Sequence, residues 1–226
     1  MGSGGGGGYG GNGSIGAPGN GIPEGGTYGG GADALKPLLY GSGGGAGSSD
    51  TSVGGNGGGI IFLNISNVLY LNGTIVANGG VGEKPGHSGG GGSGGSILIY
   101  TSVFEGIGSI NASGGLGGLG VSSSGGDGGG GRIAIYTVTN TFAGIIQANP
   151  GTGGWSWAEP GSIILFSGES YKNATIYGGK DLYLNGTFDT VVVNGTAMAN
   201  FTSNKSTIVT IPAGQTLNSS TLYIVN

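Results

Sequence analysis

The chain has 226 residues, 62 of them Gly, with six Lys and Arg, a formal net charge of -4 and no Cys. Six cations over that length make no phosphate-tracking stripe, which argues against a nucleic-acid partner, and zero Cys excludes disulfides and thiolate metal sites. Gly, Pro and Ser fill 93 positions, as in disordered tracts, yet charged residues are 7% against 35% hydrophobic, too little charge to keep a coil solvated.

In chain order, the region before Gly57 is glycine-dense and poor in strand signals, and "ADALKPLLYGSGGG" is too short and Pro-interrupted for a helix. It is expected to supply the first glycine legs and a lid. Three segments then align: "GGIIFLNISNVLYLNGTIVANGG" (58–80), "GGSILIYTSVFEGIGSINASGG" (94–115) and "GGRIAIYTVTNTFAGIIQANPG" (130–151). Ile61/Leu63, Ile97/Ile99 and Ile133/Ile135 recur every 36 residues, and Ile75/Ala77, Ile110/Ala112 and Ile146/Ala148 follow at 35 and 36. A fixed period of this size marks stacked units, none of which buries its face alone.

Within a unit the alternation has period two, with Ile97, Ile99 and Thr101 on one face and Leu98 and Tyr100 on the other, so each unit carries two strands. Between strand pairs lie two seven-residue glycine legs, such as Gly114–Gly120 and Gly125–Gly131, joined by a short turn. A glycine leg has no side chain to bury, so it orders only by satisfying its N–H and C=O groups against neighbouring backbones. Seven residues of extended three-fold helix span roughly 22 Å, about the length of a six-residue strand. The predicted fold is therefore all-β and β-solenoid-like, a stacked repeat of about 36 residues with two strands and two polyglycine II legs per unit. The competing reading is a flexible Gly/Ser spacer between small β pieces.

Of the 62 glycines, 52 precede residue 151, which divides the chain into a glycine-rich repeat domain (1–160) and a β-rich C-terminal region or cap (161–226). The latter reads as alternating β with Asn-Gly turns. No run approaches the roughly 20 apolar residues of a membrane span. The start lacks a basic stretch followed by an apolar one, so any secretory signal has been removed or Met1–Ser3 is an added start.

At "GGGGGYGGNG", "GGTYGGG", "PLLYGSGGGAG", "GGNGGGIIFL" and "GGGGSGGSILIY" the chain resembles the glycine-rich modules of large extracellular surface proteins. It is also similar to the polyglycine II bundles at the tips of some phage tail-fibre adhesins and in springtail antifreeze proteins. The resemblance covers roughly residues 1–160 and implies a secreted structural or adhesive role, with no catalytic residues to transfer. The springtail type keeps a tripeptide rhythm and lacks Ile-rich strands, and no flat Thr-x-Thr array repeats here.

Ten Asn-x-Ser/Thr sequons occur, at Asn12, Asn64, Asn72, Asn111, Asn173, Asn185, Asn194, Asn200, Asn204 and Asn218, where chance gives about three. Asn72, Asn185 and Asn194 precede Gly-Thr and also read as turns. The excess points to a glycosylated exterior. His87, the single histidine, is expected to be a solvated loop residue and leaves no basis for a catalytic triad or a multi-histidine metal site. Glycine tracts precede strands with no helix following, so they are not phosphate or dinucleotide loops. No enzyme activity and no cofactor are expected.

The turns "EKPGHS" (83–88), "VSSS" (121–124) and "WSWAE" (155–159) should gather at one end of the stack and place Lys84, His87, Trp155 and Trp157 there as binding-loop candidates. Alternatively, the tryptophans pack against the C-terminal region. The apolar end "STLYIVN" nominates Leu222, Tyr223, Ile224 and Val225 as an assembly strand. Two roles follow. One is an extracellular structural subunit of a filament or coat, a homo-oligomer joined through β edges. The other is a receptor- or glycan-binding adhesin tip that meets surface glycans through its end loops.

Overall fold

A computed structural model describes residues 3–17, 34–48, 52–83, 87–120, 123–154, 156–185, 190–193, 196–203, 208–210, 216–218 and 223–224, with backbone alone from 178 onward except at 190–192. The chain is all-β: beyond a two-residue helical turn at Ala34–Leu35 and a short 3-10 turn at Glu169–Tyr171, the described elements are strands.

Three strands rich in β-branched residues begin the main sheet, β1 (Ile60–Tyr70), β3 (Ser96–Glu105) and β5 (Arg132–Asn140), each followed by a short one, β2 (Thr74–Val76), β4 (Ser109–Asn111) and β6 (Ile145–Gln147). The long strands pair in parallel, with Ile61 opposite Ile97 and Ile97 opposite Ile133, an offset of 36 residues each time (97 − 61 and 133 − 97). The short strands form their own parallel sheet, β2-β4-β6, with Ile75, Ile110 and Ile146 in one row. β1 has a bulge between Ile65 and Val68.

The composition boundary at residue 160 is not a break in the sheet. β7 (Ser162–Ser167) lies parallel to β5, with Ile163 opposite Ile133 at an offset of 30 (163 − 133), and only then does β8 (Asn173–Asn185) turn back antiparallel. β8 pairs in parallel with β9 (Thr190–Val193) and β10 (Thr196–Ser203); β11 (Ile208–Thr210) joins β9, while β12 (Thr216–Asn218) and β13 (Tyr223–Ile224) join β10.

The two sheets enclose one core, because period-two alternation sends Ile97, Ile99, Ile133, Ile135, Ile163 and Leu165 inward against Ile110, Ala112 and Ala148. Part of the opposite face of the main sheet, over β7 and β8, is covered too. Ala34 is buried against Ile164, Phe166, Ala174, Ile176 and Val191, and a row of rings runs across the strands, Tyr100–Tyr136 and Tyr136–Phe166 both stacked at 4.7 Å. Each such stack contributes about 0.5–1.5 kcal/mol beyond its area.

The glycine tracts are bonded into the fold. From Gly89 to Gly95 successive amides donate to Glu83, Gly45, Gly126, Gly80, Ser42, Gly129 and Ala77 carbonyls, at 2.8–3.1 Å. The acceptors rotate with period three among three neighbouring segments: 77–83, 42–45 and 126–129. Carbonyls in and beside the same tract accept from three others: Ser88 and Gly91 from Gly4 and Gly7, Gly89 and Gly92 from Gly118 and Gly115, and Gly90 and Ser93 from Gly55 and Gly58. Six backbones thus surround one. Ser93 is fully buried and accepts a bond from the Ser42 amide at 2.8 Å through its hydroxyl.

Two outcomes follow from this packing. A Cβ on Gly129 would fall on the carbonyl oxygen of Gly11, so Gly129→Val is expected to abolish cooperative folding, which circular dichroism and thermal melting would register as loss of the β signal and of the transition. The Tyr136 hydroxyl donates to the Leu35 carbonyl at 2.7 Å, and burial pushes its pKa well up, with Tyr100 and Tyr171 adding to the shift. A folded value above the unfolded one, about 10, means that the contribution is whole below pH 10 and is lost as pH rises through the folded value. In melts from pH 8 to 12, Tyr136→Phe is expected to cost about 1 kcal/mol at pH 8 and to flatten the alkaline fall of the midpoint.

Candidate functional site

The first two turn loops meet. His87 and Ser123 form a parallel β-bridge, and His87 Nδ1 lies 2.8 Å from Ser123 Oγ, which in turn is 2.6 Å from Ser3 Oγ. His87 is therefore half-buried and engaged, not the solvated loop residue that the sequence implied. Its ring is partly withdrawn from water and meets a hydroxyl supplied by the adjacent turn. Lys84 and Trp155 lie outside the described residues.

The third loop is organised by Asp127, which interrupts the glycine tract "SGGDGGGG" and is 2% exposed. Its Oδ1 accepts from the amides of Gly117 at 2.9 Å and Gly154 at 3.0 Å, and its Oδ2 from Gly153 at 3.1 Å and Gly154 at 2.8 Å. Its own amide donates to Ser14 Oγ at 2.7 Å. Gly153 has φ +142°, a conformation that only glycine adopts without strain, and this aims two successive amides at one carboxylate. Further along, the Ser156 hydroxyl donates to the Ile15 carbonyl at 3.3 Å, and Glu159 exchanges bonds with Asn12 at 2.8 and 3.2 Å. Trp157 projects from this tied loop with 95% of its surface exposed, so it does not plug the C-terminal region. Together Asp127, Pro150–Gly154 and Ser156–Ala158 line a cleft of about 410 Å³.

Arg132, at the start of β5, is 1% exposed; its guanidinium lies 5.1 Å from the centre of the Tyr9 ring, and Nη2 donates to the Tyr9 carbonyl at 3.3 Å. Tyr9 Oη is 2.8 Å from Ser96 Oγ. This cluster pins residues 3–17 to the sheet. Among the described residues no three of His, Asp and Glu stand close enough to hold a metal ion, and no helix is long and apolar enough to cross a membrane.

The sequons fall into distinct settings. Asn64 and Asn72 are exposed, whereas Asn12, Asn111 and Asn173 are half-buried, and the Asn111 Oδ1 accepts from the amide and hydroxyl of Ser113. Asn185, Asn200 and Asn218 lie in β8, β10 and β12, known by backbone alone. Asn194 and Asn204 are outside the described residues. Of the expected assembly strand, Tyr223 and Ile224 pair in parallel with Thr202 and Ser203 of the same chain, while Leu222 and Val225 lie outside the described residues. One side of that strand is taken up internally.

Asp127 and Arg132 escaped the sequence reading. For Asp127 the signal was available: a lone carboxylate inside a run of glycine can only be kept if backbone amides satisfy it. Removing it leaves the Gly117, Gly153 and Gly154 amides without that acceptor. Asp127→Ala is expected to lower stability by about 2–4 kcal/mol, and Asp127→Asn by less, measured by chemical denaturation.

Comparison with family models, with curated proteins and with solved structures returned no match to this chain.

Proposed function

We propose that the chain is a non-enzymatic extracellular structural protein, a subunit of a surface filament or coat that joins copies of itself through exposed β edges. In this reading it is a β-solenoid-like stack of about 36-residue units, each with two strands and two polyglycine II legs. The parallel offset of 36 residues supports the stack. The three-fold rotation of amide acceptors along Gly89–Gly95 supports the polyglycine II conformation, which turns once every three residues.

The observation that carries the assembly reading is β1. It is the outermost strand on its side of the sheet, and among the described residues it pairs with β3 alone. Its eleven residues, IIFLNISNVLY, contain no charge and no proline, the two devices that usually blunt an edge. Phe62, Val68 and Tyr70 are exposed on it. The short sheet ends beside it in β2, whose Val76 is exposed as well. A formal charge of -4 gives little repulsion between copies. The bulge after Ile65 confines straight pairing to Ile60–Ile65. The excess of sequons, with Asn64 and Asn72 exposed, supports an exterior location.

Charge placed on the outward face of β1 tests this without touching the core. Wild-type protein is expected to form oligomers or filaments in sedimentation velocity and electron microscopy. A Phe62→Lys, Asn64→Lys double variant should remain folded by circular dichroism and sediment as a monomer. Assembly that survives both lysines would remove β1 as the connector, and a wild-type chain that stays monomeric when concentrated would end the reading.

A further inference from the structure

We infer that the Asp127-organised loop is a carbohydrate-binding site, with Trp157 as the stacking platform for a neutral, β-linked pyranose chain. An indole carries 150–250 Å² of mostly apolar surface that folding normally buries, yet Trp157 is 95% exposed. Flexibility does not account for it. Ser156 on one side is tied to Ile15, and on the other Ala158 is buried and Glu159 is bonded twice to Asn12. Upstream, Asp127 clamps Gly153 and Gly154, and the Gly151 amide donates to the Gly128 carbonyl at 2.9 Å. The ring is held out by a loop fixed at both ends, and pre-organisation of this kind lowers the entropy cost of binding.

The surroundings narrow the ligand. The cleft beside the ring holds about 410 Å³, within the range of small-ligand pockets. Its lining, Pro150 through Gly154 with Ser156 and Ala158, is small side chains and backbone, apolar over most of its surface and interrupted by backbone polar groups and the hydroxyls of Ser156 and the exposed Thr152. That suits a ligand with one apolar C–H face for the indole and a rim of hydroxyls for the loop. Among the described residues no Lys, Arg or His lines the cleft, and the ionisable group there is the Asp127 carboxylate, which disfavours phosphates, sulfates and uronates and argues against a nucleobase polymer stacking on the same ring. Gluco-configured sugars in β-linkage keep their ring hydrogens axial and present flat C–H faces. The site is independent of β1 and does not rest on the assembly reading.

Trp157 can be made its own reporter. In a Trp155→Phe background it is the sole tryptophan, and its emission is followed while cellohexaose or chitohexaose is added. The expected result is a saturable blue shift with a dissociation constant of about 0.1–1 mM, with no shift on adding single-stranded oligothymidylate. Because Trp157 is exposed, Trp157→Ala should keep the circular dichroism and melting of the wild type while losing at least about tenfold in affinity by calorimetry. Asp127→Asn, which keeps the shape but weakens the clamp, should lose less than Trp157→Ala. The inference is overturned if neither hexasaccharide moves the emission at about 10 mM, if oligothymidylate moves it instead, or if Trp157→Ala binds as the wild type does.

Discussion

A carbonyl oxygen of one glycine tract occupies the place where the Cβ of a residue in the next tract would stand, as Gly11 does for Gly129 and Ala112 for Gly94. Backbones that close can exchange N–H···O bonds in every direction around their axes, and Gly89–Gly95 does so with six neighbours. Each bond contributes only about 0.5–1.5 kcal/mol net, but a buried amide left unpaired costs more than that, so the layer is stable only when all tracts are present. The glycines give up the conformational freedom that makes them costly to order, and the return is a dense layer with hardly any side chains.

The strand layers depend on this one. Gly95 donates to Ala77, Gly131 to Ala112 and Gly161 to Ala148, and the next residue in each case, Ser96, Arg132 or Ser162, begins a strand of the main sheet. Glycine register and strand register are therefore fixed together. The Ile row in the core and the Tyr100–Tyr136 pair on the outer face share an offset of 36 residues, and the Gly91–Gly126 and Gly94–Gly129 bonds beside them run at 35. Segment 3–17 is threaded among the tracts, with Gly4, Gly7 and Gly10 donating to Ser88, Gly91 and Gly130. It thus belongs to the same hydrogen-bonded layer, while Ala34 and Leu35 pack against β7 and β8 on the outer face.

Much of the strand layer was legible because side chains encode it. Ile97/Ile99 facing one way and Tyr100 the other, and the rows Ile61–Ile97–Ile133 and Ile75–Ile110–Ile146, follow from alternation and period alone. The continuation into β7 was hidden because its offset drops to 30 residues and the glycine between it and β6 is sparse. Which glycine pairs with which was not legible at all, since a residue without a side chain leaves no mark of its partner. The site was half legible. Trp157 stood out as a rare ring on a loop, but the turn that presents it depends on Asp127, thirty residues upstream, and on contacts with Asn12 and Ile15 from the far end of the sequence. His87 drew the opposite error, because its partner Ser123 comes from another turn.

Amide hydrogen exchange on the intact chain, resolved residue by residue across Gly89–Gly95 and Gly125–Gly131, tests the bonded glycine layer most directly. The account predicts protection within about tenfold of that at Ile97–Ile99, because the same cooperative unit must open to release either set. Random-coil exchange in the glycine tracts beside protected Ile strands would contradict it and make those tracts tethers.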